Sequence, residues 1–266
     1  MEIGAFKLTL LSLLHGTHLS VLGFIMMVVA VVYSVGLMLL TRYRYGTDRL
    51  KLNNEVAGFK FAVIGVLYAV MLAFVVIAVW GDYSDTEDAV RDEAKAAVDL
   101  YRVATALPGQ GEEIHERVLA YVKAVRTKSW DAMAVGGRSE QVAKELRALN
   151  RSIIELNPKN DKEAVLFRHS LDLLTLVTDS RNERLDSADG SVPGILWFVL
   201  IVGGLITLGY PAFFAASNVG AQVLMTASLA VLVAFSLLLA LAFDFPFTGN
   251  PHISKSPFAD ALLQMD

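Results

Sequence analysis

Hydrophobic residues gather in four stretches that hold no Asp, Glu, Lys, Arg or His: residues 19–40, 61–80 and, inside one charge-free run at 194–243, residues 195–216 and 221–243. At the helical rise, about 20 residues cover about 30 Å, the thickness of a bilayer's hydrocarbon layer. The pattern predicts four membrane spans. Ser217-Asn218-Val219-Gly220 is the polar break that turns the third into the fourth, and Gly209-Tyr210-Pro211 should bend the third near its end. Lys60 closes the second span on one side. Trp80 and Tyr83, whose amphipathic rings favour the headgroup region, close it on the other. Gly81 is expected to break that helix.

Between residues 82 and 192 the pattern changes to apolar positions at helical spacing among many charges. Leu107-Pro108-Gly109, Gly136-Gly137 and Asn157-Pro158 divide the region, so four helices are predicted at about 84–106, 112–133, 139–156 and 161–185. Ser84 and Glu87 form a capping-box pattern at the start of the first. Stripes such as Val90, Ala94, Ala97, Val98 and Tyr101, or Val142, Leu146, Leu149 and Ile153, give each helix one apolar face. No run alternates with the period of a strand. The predicted fold is therefore an all-α membrane protein with four transmembrane helices and an inserted antiparallel four-helix bundle between the second and third spans. Its divisions are a first membrane hairpin at 1–81, the helical domain at 82–192, a second hairpin at 193–243 and a tail at 244–266. The tail, with its short apolar segment near 258–263, is either an ordered arm or a loose end.

Composition agrees with this reading. Of 266 residues, 55% are apolar and the mean hydropathy is +0.50, more apolar surface than one soluble core requires. A net charge of −4 without a dense basic patch excludes a nucleic-acid partner, and the lack of cysteine excludes disulfide and thiolate chemistry. The first twenty residues, which include His15 and His18, read as a short interfacial helix ahead of an uncleaved first span. The link at 41–60 has five basic residues against two acidic ones. Basic residues near the opposite membrane ends balance it, so charge alone leaves the orientation open.

The spans' lack of ionisable groups argues against an active transporter and leaves room for a passive pore, which apolar constrictions can gate by losing water. Phe61, Gly65, Tyr68, Leu72, Val76, Val79 and Tyr83 share one helical face and are the pore-lining candidates. Gly58 and Gly65 would permit close helix packing. Asp82, Asp85, Glu87 and Asp88, with Asp92 and Glu93 behind them, could line a cation-attracting vestibule or hold a divalent ion. Equally, they offset the positive end of a helix dipole. Arg181, Glu183 and Arg184 suit a helix C-terminus, with anion binding as the other reading. The histidines are scattered, no phosphate loop or catalytic motif occurs, and no metal, cofactor or enzymatic activity is expected.

Asn54 with Gly58-Phe59, the run GVLYAVMLAFVVIAVWGDY at 65–83, Ala89-Val90, Glu93-Ala94, Leu100-Tyr101-Arg102, residues 181–185, Pro193, Trp197, Pro246-Phe247 and Gly249 together resemble the bestrophin-like domain family. These four-span membrane proteins are similar in layout to bestrophin anion channels. The resemblance implies a homo-oligomeric pore around the second span and a cytoplasmic helical domain, in the plasma (inner) membrane. The tail lacks the acidic run of the bestrophin calcium clasp, so calcium gating is not implied. The functional expectation is a homo-oligomeric passive anion channel of the chloride type, with the lipid bilayer and copies of itself as partners. The alternatives are a non-conducting anchored sensor or docking protein and a cation pore that depends on Asp82 and Asp85.

Overall fold

The computed structural model describes residues 18–265 other than Pro108, Gln110 and Asn250, so the interfacial helix expected at the N-terminus, with His15, lies outside the described residues. Helices are the only regular structure among them. They are α1 (Leu19–Tyr45), the short α2 (Thr47–Lys51), α3 (Asn54–Thr105), α4 (Gly111–Ala124) and, after a π-helical turn at Val125–Ser129, α5 (Trp130–Met133). Then come α6 (Glu140–Ile154), α7 (Asp161–Asp186), α8 (Gly194–Gly209), α9 (Val219–Asp244) and α10 (Ser256–Met265). Among the described residues, four helices are long and apolar enough to cross a membrane. The chain divides into two compact units, residues 1–81 with 191–244, and residues 82–190 with 245–266.

The membrane unit packs α1 chiefly against α9, with α8 beside both. Its outward surface is apolar, with Phe24, Val32, Phe74, Phe198 and Leu232 all more than half exposed. Such a surface suits lipid, and the chain is an integral membrane protein. Here α1 runs five residues past the predicted span and ends at Gly46, whose φ of 78° favours a residue without Cβ. The expected bend at Gly209-Tyr210-Pro211 is instead the end of α8, which tightens into a 3-10 turn at Tyr210–Phe213. That turn leaves carbonyl groups without helical donors, and α1 supplies hydroxyls to them. Ser34 Oγ donates to Leu208 O at 2.6 Å and Thr41 Oγ1 to Ala212 O at 2.7 Å. At the far end of α9, the buried Asp244 carboxylate accepts from Val192 N and Trp197 Nε1, both at 2.8 Å, and so fixes the start of α8.

Gly81 does not break the helix. α3 continues for 52 residues, more than twice a bilayer crossing, so Ser84 and Glu87 lie inside it and form no cap. A lone glycine costs a helix about 1 kcal/mol, which flanking helix formers outweigh where no proline follows. Glu87 serves a different end, accepting from Arg91 Nη2 at 2.8 Å one turn along. The reciprocal cap belongs to α7, where Asn160 Oδ1 accepts from Glu163 N at 2.9 Å and Glu163 Oε2 accepts from Lys159 N at 2.7 Å.

In the helical unit, α4 packs on α6, and α10 packs on α4 and the π turn. The tail is part of this unit. Phe247, Ile253, Phe258, Ala261 and Met265 join the same core as Val90, Leu100, Tyr121 and Leu149. Trp130 Nε1 donates to Ile253 O at 2.8 Å and pins the chain that leads into α10.

Candidate functional site

Within the membrane unit α3 has two unlike faces. Tyr68, Leu72, Val75 and Val79 are buried, at 5%, 7%, 7% and 0% exposure, and belong to its inner face. Three of the seven predicted lining residues therefore lie on the packing face. Tyr68, Leu72 and Val79 pack within their own protomer, whereas Phe61, Gly65 and Val76 are half-buried at its margins. Tyr83 lies beyond the span, partly buried against the core of the helical unit. The face turned away holds Val63, Val66, Leu67, Val70, Phe74 and Ile77, all about half exposed or more. Helical spacing alone could not rank the two faces, because the segment is apolar all round. Like α1 and α9, this segment leaves most of its apolar surface uncovered within the protomer.

The close approach expected at Gly58 and Gly65 occurs elsewhere. Nothing lies within 4 Å of a Cβ built on Gly65, and at Gly58 such a Cβ would make only an ordinary contact with Phe214. On α8, by contrast, a Cβ at Gly203 would stand 2.8 Å from the Tyr68 ring, and one at Gly204 would stand 3.0 Å from its hydroxyl. These glycines form the notch that receives Tyr68. Its hydroxyl is buried there with no hydrogen-bond partner.

Asn54 secures the entry of the span. Its Nδ2 donates to Ala215 O at 2.9 Å and its Oδ1 accepts from Ala215 N at 3.0 Å, a two-way clasp on the reversal between α8 and α9. Arg42 Nη1 holds the same reversal by donating to Ala216 O at 2.9 Å and Gln222 Oε1 at 3.0 Å.

The acidic candidates lie on the part of α3 within the helical unit. Asp82, Asp85 and Asp88 are exposed and Glu87 is half-buried. Arg91 pairs with Glu87 at 2.8 Å and with Asp88 at 2.9 Å, ordinary surface ion pairs on one helix. Among the described residues no cluster of three or more His, Asp or Glu side chains could hold a metal ion.

Glu93 departs from its neighbours. It is fully buried, and the equally buried Arg184 grips its carboxylate in a two-pronged pair, Nε to Oε2 at 2.7 Å and Nη2 to Oε1 at 3.0 Å. Tyr121 donates its hydroxyl to Glu93 Oε1 at 2.6 Å, and Arg184 Nη1 donates to Ser129 Oγ at 2.7 Å. The rings of Trp130 and Phe258 lie 5.4 and 5.9 Å from the guanidinium carbon. The π turn brings Ser129 and Trp130 to this group. Burial, and after it the Glu93 carboxylate, holds the Tyr121 hydroxyl well above its ordinary value. For Arg184, burial works against the charge, but Glu93 and Tyr121 outweigh it and the guanidinium stays charged. Sequence reasoning placed Glu93 with the surface acids and Arg184 with a helix end. The available signal was that Glu93 lies three residues after Val90 and four before Ala97, inside the apolar stripe.

Comparison with known proteins matches the Bestrophin-like domain over residues 28–258. No curated protein matches. Among solved structures, a bacterial bestrophin homolog from Klebsiella pneumoniae has a TM-score of 0.65 at 14% identity, covering 90% of this chain and 97% of that one. A zinc-phased crystal structure of the same homolog gives 0.65 at 14%, covering 90% and 96%. A variant of an otherwise undescribed membrane protein gives 0.69 at 11%, covering 90% and 97%. At such identities the likeness establishes the fold. With four apolar helices, a helical unit inserted after the second and a family model that spans most of its length, the chain belongs to the Bestrophin-like domain family.

Proposed function

We propose that the chain assembles as a homo-oligomer in which each copy turns the open face of α3 toward a shared axis, giving a passive path for inorganic anions such as chloride. The observation that carries this reading is the uncovered face of the second span, which is apolar from Val63 to Ile77. A ring of such faces would make a narrow apolar neck. Water and ions pass such a neck only when it is wide enough to stay wet, so small changes in diameter gate it. Val66, Val70 and Ile77 replace the inward stripe as the proposed lining. The layout of the bestrophin homolog structures supports the reading, as does family membership. We place the protein in the plasma (inner) membrane with its helical unit in the cytoplasm, on the same family grounds.

Exposed Asp82, Asp85 and Asp88 would attract cations, so a cation path is the competing selectivity. Purified protein in liposomes, with the oligomeric state measured by mass photometry and flux read under a chloride gradient, tests the proposal. An oligomer whose reversal potential follows chloride supports it. A reversal potential that follows the cation, and shifts when Asp82 and Asp85 become Asn, replaces it with the cation pore. A monomer without flux replaces it with a membrane-anchored docking or sensing unit.

A further inference from the structure

The membrane unit has an open cavity of about 420 Å³ where the entry of α3, the reversal and the start of α9 meet. Its size falls within the range of small-molecule sites. Phe61, Pro211, Phe214, Met225 and Leu229 line it together with Asn54, Gln222 and Thr226. The polar groups are already committed. Asn54 clasps Ala215, Gln222 donates to Phe214 O at 2.8 Å and accepts from Arg42 and Ala216, and Thr226 Oγ1 reaches Met38 Sδ at 3.6 Å. An occupant therefore meets an almost wholly apolar interior, which suits a hydrocarbon tail and offers little to a polar solute.

The segment that leads from α1 into α3 has the opposite character. Arg42 hydrogen-bonds two residues that line the cavity, and Arg44, Arg49, Lys51 and Lys60 are exposed on the adjoining segment, against only Asp48 and Glu55. Tyr43, Leu52, Val56 and Phe59 are strongly exposed among those charges, the mixture that settles at the headgroup level. An open apolar cavity in a membrane unit, with Arg42 bound to its lining and a basic segment next to it in the chain, fits one class of molecule. We propose that this cavity holds one acyl chain of an anionic phospholipid, whose phosphate rests on the basic segment. The inference goes beyond the channel reading and holds whether or not the protein conducts.

The test is native mass spectrometry of the full-length protein, released from nanodiscs that contain phosphatidylglycerol and phosphatidylcholine in equal amounts. The prediction is retained phosphatidylglycerol in preference to phosphatidylcholine. Replacing the exposed Arg44, Arg49 and Lys60 by Gln should lower that preference about five-fold for each charge removed. Leu229→Trp, which fills the cavity, should abolish retention and leave the charge of the basic segment unchanged. Should Leu229→Trp not fold, the Gln variants decide alone, because their positions lie on the surface. Equal retention of both lipids would mean a general lipid coat and overturn the proposal. So would retention that survives both sets of variants, or a cavity filled by a neighbouring copy with no lipid retained.

Discussion

Removing Glu93 or Arg184 alone strands a charge in a fully buried site, whereas removing both strands none. Arg184→Ala and Glu93→Ala should each destabilise the protein by about 3–5 kcal/mol. The double variant Glu93→Leu with Arg184→Met should cost clearly less than the two single losses together. Thermal unfolding of the full chain in detergent measures all three, and additive losses would contradict the account. Tyr121 adds a pH dependence. Its folded-state pKa is raised, so its contribution is fully present below about pH 10, the ordinary tyrosine value, and is lost as pH climbs beyond it. The melting temperature should therefore fall above about pH 10, and less steeply in Tyr121→Phe. In lipid, the unpartnered Tyr68 hydroxyl makes the opposite case, because Tyr68→Phe removes a buried donor that has no acceptor. That substitution should leave stability unchanged or raise it by about 1 kcal/mol. Composition could not separate these side chains from their neighbours. Glu93 stands in a run of acids and Tyr68 in a run of apolar residues, and only the rotational phase of the helix tells which way each points.

At the scale of elements, the spans and most bundle helices were legible because charge-free length and apolar spacing are strong local signals. The predicted helices at 139–156 and 161–185 correspond to α6 and α7 within about two residues. What the pattern misjudged were joints whose outcome depends on a few kilocalories. Gly81 was weighed as a breaker although a helix tolerates a single glycine, and the apolar segment near 258–263 left an ordered arm and a loose end both open, where Phe258 in fact enters the core of the helical unit. Both points are testable. Gly81→Ala should stabilise by about 0.5–1 kcal/mol, whereas Gly81→Pro should cost about 3 kcal/mol or more, since proline removes a hydrogen bond from an unbroken helix. If that helix ended at residue 81, proline there would be tolerated. Phe258 is fully buried, and Phe258→Ala should cost about 3–5 kcal/mol in the same unfolding measurement. Gly203→Val drives a side chain into the Tyr68 ring and should destabilise by about 1–3 kcal/mol. A second change, Tyr68→Ala, should restore part of that loss.

At the scale of the whole molecule, the open question is what covers the exposed face of α3. Its residues are apolar, so lipid and the faces of neighbouring copies are both chemically acceptable, and the sequence cannot choose because a span that is apolar all round carries no marker of direction. The protomer narrows the choice by using the Tyr68, Leu72 and Val79 face for its own packing. The absence of cysteine from the chain allows a direct test. Val70→Cys and Leu72→Cys, two residues apart on opposite faces, are reconstituted in liposomes, and chloride flux is followed before and after a water-soluble thiol reagent is added. The account predicts flux that the reagent blocks in Val70→Cys and leaves intact in Leu72→Cys. Flux blocked only in Leu72→Cys, or no flux from either variant or from the parent protein, would contradict it.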